Sequence, residues 1–458
     1  MKKLNISLDD SVIKEVEDSI KVDTDVDFNI DVDTSIPDKD SGDINRYLNN
    51  GEIDINNKEI RVDGINVQED LVITLNNSTL VIGGDIQSSG NITIIMNGNS
   101  ELYTNKIQAA KALNIKINNG KMIVDGDNGI ISNDGTIDLT IENNSTLYTN
   151  KIQAAKELNI RINKGKMVVT GNNGINSNGS NINLNIENNS MVYTKKIQAQ
   201  QELIIVMDNG NMSVEGEGIF SEHNTMTLNV KNNSELYSKK VYASSKLNIV
   251  INNGKIVIDG YDGIISQNDT IDLNIENNSK LYSKKIQAQQ ELSIEVMDNG
   301  NMVVYGDNGI ISNYKTIDIN IENNSIVYTK KIQAQSIVDI KMNNYGNIIV
   351  EKDIISNYDP IKFTSTKGVC IVNGSINTGF DSSGAIEAEL ENSAIICMGN
   401  FKAGWGISKL TNKGKSFILI LGNEESEIRN LEIVSYEDIV TPNDKNVINT
   451  INRYLKIN

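Results

Sequence analysis

The sequence is short of cysteine, histidine, proline and aromatic residues, and each shortage excludes a class of protein or site. Its two cysteines, Cys370 and Cys397, cannot build a disulfide framework or a cysteine-ligated metal cluster. Because His223 is the only histidine, a metal site with two histidine ligands is excluded as well. Three prolines in 458 residues leave regular structure almost uninterrupted, and with 5% aromatic residues a large core must be mainly aliphatic.

Long hydrophobic runs are also missing. No apolar segment reaches the roughly 20 residues that span a bilayer, which predicts no membrane insertion. Residues 1–10 contain two lysines but no apolar core, so we expect no secretory signal and synthesis in the cytoplasm. The chain has 60 acidic and 42 basic side chains and a formal charge of −18. This balance disfavours nucleic acid and anionic membranes as partners.

An internal repeat dominates the sequence. A motif that begins Lys-Ile-Gln-Ala, or a close variant, recurs at offsets of 45, 45, 44, 45 and 46 residues; it starts at Lys106, Lys151, Lys196, Lys240, Lys285 and Lys331. Each period divides into two similar halves, so the structural unit is about 22 residues long. Within a unit, apolar residues such as Ile137, Leu139 and Ile141 alternate with polar ones, which is typical of strands. Asn, Gly and Asp at the breaks indicate turns.

Three short strands in each unit, with one apolar face, predict one coil of a parallel β-solenoid. Coils that stack at about 4.8 Å bury this face and pair their backbone groups. We therefore predict an all-β solenoid of about 15 coils. The expected organisation is an N-terminal attachment or capping arm (1–50), a regular solenoid (51–380), irregular terminal coils (381–435) and a C-terminal capping helix (436–458).

The two ends depart from the repeat. Residues 7–16 are compatible with a short helix, and residues 22–33 alternate strictly and predict a strand. Residues 442–455 place apolar side chains at helical spacing and predict a terminal helix. Because a solenoid must protect its open ends, these segments would cap the coils or attach them to a larger particle. Trp405 is expected to pack at the end of the solenoid, with a binding role as the alternative.

The coil length, the Asn-rich turns and the Gly-Ile steps at residues 127–130, 262–264 and 307–310 resemble right-handed parallel β-helix proteins of the pectate-lyase-like group. Within this group the chain is most similar to bacterial carbohydrate-binding β-helices and phage tailspikes, over about residues 51–400. The resemblance implies a right-handed solenoid, recognition of bacterial surface glycan and, for tailspikes, a trimer.

One outward column of side chains is the candidate binding and assembly site. If Leu147 and Met167 face inward, the residues that follow them in sequence face outward. The candidate residues of this column, the outer stripe, are Tyr103, Ile123, Tyr148, Val168, Tyr193, Tyr237, Val257, Tyr282, Val303, Tyr328 and Ile349, with Ser213 as the polar exception. Three interpretations are open: side chains that stack well on a sheet, cover by a terminal segment of the chain, or a lateral surface for another copy or a ligand.

Other outward columns have an architectural explanation. In the column next to the outer stripe, lysine mostly sits between acidic residues from Lys195 onward, with Tyr305 as an exception, which predicts a cross-strand charge ladder that favours one register. The paired asparagines at the turns, such as Asn143 and Asn144, are expected to form hydrogen-bonded ladders.

Catalytic and metal sites are not indicated. Glycosidases need paired carboxylates at a defined separation, and no such group breaks the repeat. His223, beside Glu222 at a turn, is expected to be inert. The Asp-Asn-Gly turns could bind Ca²⁺ through oxygen ligands, but they vary between coils, so turn chemistry is the favoured explanation. We therefore predict no catalytic residues, no resident metal and no cofactor, with Ca²⁺ as the open alternative.

These observations predict a non-enzymatic structural and adhesive solenoid displayed on a multi-subunit particle, such as a phage tail fibre or spike. It would end on a virion surface, form a homo-oligomer or particle component, and contact bacterial surface glycan through many weak contacts. The alternatives are a spore-surface or appendage protein and a Ca²⁺-dependent binder of acidic polysaccharide. A polysaccharide lyase or hydrolase is the least favoured.

Overall fold

The computed structural model describes residues 6–8, 48–379, 383–414, 416–420, 431–435 and 455–457. The chain forms two units, here called unit A (residues 27–244) and unit B (residues 1–26 and 245–458). All the regular secondary structure in the described ranges is β-strand. None of the described residues belongs to a helix long and apolar enough to cross a membrane.

Unit A consists of parallel coils. Its strands are Leu48–Asn49, Glu52–Asn56, Glu59–Val62, Ile65–Val67, Leu71–Asn76, Thr79–Ile82, Asp85–Ser88, Ile92–Asn97, Glu101–Ala109, Leu113–Asn118, Lys121–Ser132, Ile137–Glu142, Thr146–Ala154, Leu158–Asn163, Lys166–Ser177, Ile182–Ala199, Leu203–Ser221, Met226–Lys231 and Glu235–Ala243.

Unit B has the same construction. Its strands are Ile6–Leu8, Leu247–Asn252, Lys255–Ser266, Ile271–Glu276, Lys280–Ala288, Leu292–Val296, Asn301–Ser312, Ile317–Glu322, Ile326–Thr329, Ile332–Ala334, Val338–Asn343, Asn347–Val350, Ile354–Ser356, Ile361–Thr366, Val369–Val372, Ile376–Thr378, Ile386–Glu391, Ala394–Cys397, Phe401–Lys402, Ser408–Lys413, Phe417–Ile420, Leu431–Ser435 and Leu455–Ile457.

Each coil has three strand segments, which define three faces. Face 1 contains strands such as Leu113–Asn118. Faces 2 and 3 are often joined in one bent strand: Glu101–Ala109 pairs first with Thr79–Ile82 on face 2 and then with Asp85–Ser88 on face 3. The bend is a register shift between Thr104 and Lys106. A coil therefore runs through face 1, face 2 and face 3 before the next one begins.

The register confirms the predicted parallel solenoid. In unit A, Ile115 of face 1 pairs with Ile94 in the preceding coil and with Leu139 in the following coil. In unit B, Ile317 lies in the same way between Leu292 and Val338. The two units contain about 17 turns of about 22 residues, slightly more than the 15 predicted.

The core is aliphatic, as the low aromatic content requires. On face 1, buried residues such as Leu71, Ile73 and Leu75 alternate with partly exposed ones, so one side of each strand points inward. Because like residues lie directly above one another, each coil covers the core of its neighbour. Full burial of one such side chain stabilises the fold by roughly 1.5–3 kcal/mol.

Asparagines shape the turns between faces 1 and 2, as predicted. Asn143 and Asn144 have positive φ values of 54° and 63°, a conformation that asparagine tolerates better than most residues. The Asn143 side chain also donates from Nδ2 to Oδ1 of Asn118 in the preceding coil at 2.7 Å. These turn asparagines therefore fix the conformation of the turn and link adjacent coils by hydrogen bonds.

Buried serines in the same turns have a structural role that the sequence patterns did not reveal. Ser145 Oγ accepts a hydrogen bond from the Gly120 backbone N–H at 3.2 Å and donates to the Ile117 carbonyl at 3.1 Å. Ser190 makes the corresponding bonds to Gly165 and Ile162. These hydroxyls satisfy backbone groups that would otherwise be buried without a partner.

The predicted terminal elements lie mainly outside the described residues, including the strand at 22–33 and most of the helices at 7–16 and 442–455. Where they overlap the described ranges, the helices are wrong. Ile6–Leu8 is a strand that pairs antiparallel with the strand Leu455–Ile457. This pairing involves residues 7–8 and 455, the described positions of the two predicted helices.

Candidate binding surfaces

The outer stripe lies on the outer side of face 2, where the register aligns its members. In unit A, Tyr103 pairs with Val81 and Ile123 of the adjacent coils. These three side chains form one apolar cluster, and Tyr148 packs against it. In unit B, Tyr282 pairs with Val257 on one side and Val303 on the other. The column predicted from the sequence therefore exists within each unit.

Most of the outer stripe has little accessible surface. Tyr103, Tyr282 and Tyr328 are 3%, 1% and 3% exposed, and the valine and isoleucine members are similarly buried: Ile123, Val168, Val257, Val303 and Ile349. The half-buried members are Tyr148, Tyr193 and Tyr237, all in unit A. A binding and assembly role for the stripe stays a prediction, and these three rings are its accessible part.

Polar contacts hold the tyrosines of the stripe in place. The Tyr193 hydroxyl donates to Glu215 Oε2 at 3.2 Å, and burial together with this carboxylate raises the pKa of Tyr193. The Tyr328 hydroxyl donates to Glu351 Oε2 at 3.0 Å, and Glu351 also forms an ion pair with Lys330. This last pair is one rung of the predicted charge ladder.

The Asp-Asn-Gly turns are explained by backbone geometry. Gly129 has a φ of +57°, and a Cβ atom there would lie 2.3 Å from the Lys151 carbonyl oxygen of the next coil. Gly174 has the same conformation and the same conflict with Lys196. Among the described residues, no group of three or more His, Cys, Asp or Glu side chains could hold a metal ion.

The two cysteines pack in the core. Cys370 on face 2 pairs with Ile348 and Ile395, and both thiols are free and buried. Burial raises the pKa of Cys397 to about 11 and raises that of Cys370 as well. Neither thiol is therefore a thiolate nucleophile near neutral pH. His223 lies in an exposed turn.

An aromatic pair interrupts the Gln-rich column on face 3 of unit A, and the sequence patterns missed it. Phe220 and Tyr242 occupy adjacent coils with ring centroids 6.0 Å apart. The ammonium group of Lys240 lies 5.7 Å from the Phe220 centroid and 5.2 Å from the Tyr242 centroid, and Lys196 lies 5.5 Å from Phe220. Such cation–π contacts explain the cluster as a local stabilising feature.

Face 1 carries polar side chains in register. In unit A, Asn159 Nδ2 donates to Asp138 Oδ1 at 2.9 Å, and Asn183 Nδ2 donates to Asn159 Oδ1 at 2.8 Å. These residues line a shallow concavity of about 330 Å³. In unit B, a concavity of about 530 Å³ is lined by Lys362, Glu387 and Lys409, among others. Both offer fixed hydrogen-bonding groups on an open surface.

Large aromatic side chains are exposed on one edge of unit B. Tyr314, Tyr358 and Trp405 are 61%, 58% and 60% exposed, and each lies in a segment that leads from face 3 to face 1. We call them the aromatic edge. The expectation that Trp405 packs at the end of the solenoid is wrong, because its short loop carries the ring outward. Only side-chain exposure, which periodicity does not encode, distinguishes this edge.

Comparison with known proteins gives no match: no protein-family model, no curated protein and no solved structure matches this sequence. The all-β parallel solenoid therefore stands on the structure itself, and the likeness to pectate-lyase-like proteins and tailspikes stays an expectation from the repeat.

Proposed function

We propose that this protein is a non-enzymatic structural and adhesive β-solenoid that contacts bacterial surface glycan. The observation that supports this most directly is the repetition of outward side chains in register from coil to coil, as in the Asp138–Asn159–Asn183 ladder. A surface that repeats at about 4.8 Å can contact a polymer that also repeats. Each contact is weak, but contacts made by one rigid scaffold add up to useful avidity.

We further propose that the solenoid is a component of a multi-subunit particle. The expected particle is a phage tail fibre or spike, and a spore surface or appendage is the alternative. Solenoid stability comes from contacts between neighbouring coils, so a long scaffold can be built without a large globular core. Labelling purified virions and spores with antibody to this protein, followed by electron microscopy, tests the location. Absence of label from both would overturn the display proposal.

Glycan binding is tested with the purified full-length chain on immobilised bacterial surface polysaccharides. We expect saturable binding without release of new reducing ends. If reducing ends or unsaturated sugars accumulate, the protein is an enzyme and the proposal is wrong. If no polysaccharide binds, the adhesive role is wrong. Binding that disappears with EDTA and returns with Ca²⁺ would favour the Ca²⁺-dependent alternative.

A further inference from the structure

The aromatic edge of unit B has a regular spacing along the coils. Tyr314, Tyr358 and Trp405 precede the face 1 strands Ile317–Glu322, Ile361–Thr366 and Ser408–Lys413, respectively. One coil, Val338–Asn343, separates the first two of these strands, and another, Ile386–Glu391, separates the last two. Successive rings are therefore two coils apart, about 10 Å, and the three span about 19 Å.

The solenoid fold does not require aromatic residues at these positions. Tyr314 is the second residue after Ser312, at the end of a face 3 strand, and Tyr358 is placed in the same way after Ser356. In the equivalent turns of other coils this position is held by Asp134, Gly179 and Asn268. The rings in unit B therefore expose apolar surface that the repeat does not require. Such surface is typical of ligand-binding sites, which points to a ligand.

We propose that the aromatic edge binds an extended, uncharged polysaccharide, with the polymer axis along the stacking direction of the coils. This inference rests on the proposed contact with glycan and assigns it to a site. The rise of one coil is close to the length of one pyranose residue in an extended chain. Successive rings would therefore contact every second sugar of the polymer. Rigid aromatic rings bury the apolar face of a sugar at a low cost in side-chain entropy.

Hydrogen-bonding groups flank the rings and are held in fixed orientations. Asn313 Nδ2 donates to Gln289 Oε1 at 2.7 Å, and Asn357 Nδ2 donates to Gln335 Oε1 at 2.7 Å. Ser336 Oγ donates to Asp359 Oδ2 at 2.6 Å. A few fixed polar groups beside apolar contacts are typical of sites that select the orientation of a ligand.

The chemistry around the edge favours an uncharged sugar. Ile407, two residues after Trp405, also lines the face 1 concavity of unit B, together with the oppositely charged Lys362 and Glu387. These two side chains form an ion pair at 3.5 Å. Two further lysines, Lys409 and Lys413, and Glu389 complete the charged lining, so its positive and negative groups nearly balance. The formal charge of −18 on the chain disfavours an acidic polymer further.

The test uses the full-length chain and three variants, Tyr314→Ala, Tyr358→Ala and Trp405→Ala, alone and combined. The probes are β-1,4-linked glucose and N-acetylglucosamine oligomers of two to six residues, together with any bacterial polysaccharide that the wild type binds. We expect each single substitution to weaken binding about three- to tenfold and the triple variant to bind no probe. Affinity should rise with oligomer length, because longer chains reach more rings.

Tyr261→Ala is the matched control. Tyr261 is 78% exposed but lies at the bend between faces 2 and 3 of unit B, so this variant should bind like the wild type. Trp405→Phe should retain most binding, which separates loss of the ring from loss of the fold. Because Trp405 is the only tryptophan, its fluorescence emission should shift when a probe binds to the wild type.

The outcomes separate this inference from the proposed function. If the wild type binds a polysaccharide but the triple variant binds it equally well, and Trp405 fluorescence does not change, the aromatic edge is not the site although adhesion stands. If the wild type binds neither oligomers nor any polysaccharide, both proposals fail. If Tyr261→Ala weakens binding as much as the edge variants, the assignment to this edge is also wrong.

Discussion

At the residue scale, polar side chains rather than aliphatic ones determine how one coil is joined to the next. The aliphatic core is uniform, so it does not distinguish one turn from another. Asparagine at positive φ forms the turn, and the buried serine that follows bonds to the backbone of the preceding coil, as Ser145 does to Gly120 and Ile117. Single substitutions of these polar residues should therefore measurably destabilise the fold.

Ser145→Ala tests this role. Removal of the hydroxyl leaves the partly buried Gly120 N–H and the buried Ile117 carbonyl without this partner, so we expect the free energy of unfolding to fall by about 1–3 kcal/mol. Denaturant titration followed by circular dichroism measures the change. Ser89→Ala, at an exposed serine of unit A, should change stability by less than about 0.5 kcal/mol. Equal losses in the two variants would contradict a special role for Ser145.

Asp318→Asn tests a second residue-scale effect, on face 1 of unit B. Burial raises the pKa of Asp318, and the nearby Asp339 and Glu291 raise it further. The folded state therefore binds this proton more tightly than the unfolded state, so stability falls as pH rises through the folded pKa. We expect the variant to melt at a higher temperature than the wild type at pH 7.

The advantage of Asp318→Asn should shrink on acidification and vanish below the ordinary pKa of an aspartic acid side chain, about 3.9, because the carboxyl is then protonated in both the folded and the unfolded state. Thermal melts between pH 3 and pH 7 measure this trend. Asp134→Asn, in an exposed turn of unit A, is the control and should show no such trend. An advantage that stays constant with pH would refute the assigned cause.

At the element scale, each strand has an inner side that builds the core and an outer side whose exposure varies. On face 2 the outer side carries the outer stripe, in which Tyr148, Tyr193 and Tyr237 keep accessible surface. A ring that is half-buried in one chain can lose its remaining exposed area against a second copy. Lateral association through face 2 of unit A is the assembly mode that this pattern favours.

Tyr148→Lys combined with Tyr193→Lys tests that assembly mode. Two added lysines place positive charge on the stripe close to Lys195, so association through this surface should be lost. The solution mass of the purified chain, measured by light scattering, is expected to fall from an oligomer to a monomer. Tyr261→Lys, on another edge, should leave the mass unchanged. A double variant with the wild-type mass would contradict self-assembly through the stripe.

At the scale of the whole molecule, two kinds of coil alternate in the central repeats. The bend between faces 2 and 3 is tight in one coil, as at Asn105, and carries a longer loop in the next, as at Asp125–Asn128. The loop packs closely on the tight bend, since a Cβ atom on Gly126 would lie 2.4 Å from the Asn105 carbonyl oxygen. We therefore expect a pair of coils to be the stable building block.

Deletions of different length test the two-coil block. Removal of residues 137–181 deletes one full pair of coils from unit A. The register is kept, because Ile182 then takes the position of Ile137. Removal of residues 137–157 takes out one coil and places two loop-bearing coils side by side. We expect the first variant to unfold cooperatively with nearly the wild-type midpoint, and the second to be clearly less stable in thermal melts. Equal midpoints would disprove the pairing.

Much of the fold follows from local pattern, and the candidate sites follow from it less well. The alternation in Ile137, Leu139 and Ile141 predicted a strand whose inner side is buried, and each of these side chains is buried. The outer stripe was located correctly, but its low exposure was not predicted, because accessibility depends on what surrounds an outward side chain. Trp405 was misjudged for the same reason, since the sequence around it has no period from which its direction can be deduced.

The 22-residue period of alternating apolar residues was sufficient to predict the parallel β-solenoid, because stacked coils bury the aliphatic side chains and pair the backbone. Which outward residues are accessible, and which distant ones share an edge, could be seen only once the coils were packed together. Tyr314, Tyr358 and Trp405 are separated by 44 and 47 residues in the chain, and the stacking of coils brings them into one row. Exposure and proximity arise from packing between coils, and no local pattern encodes them.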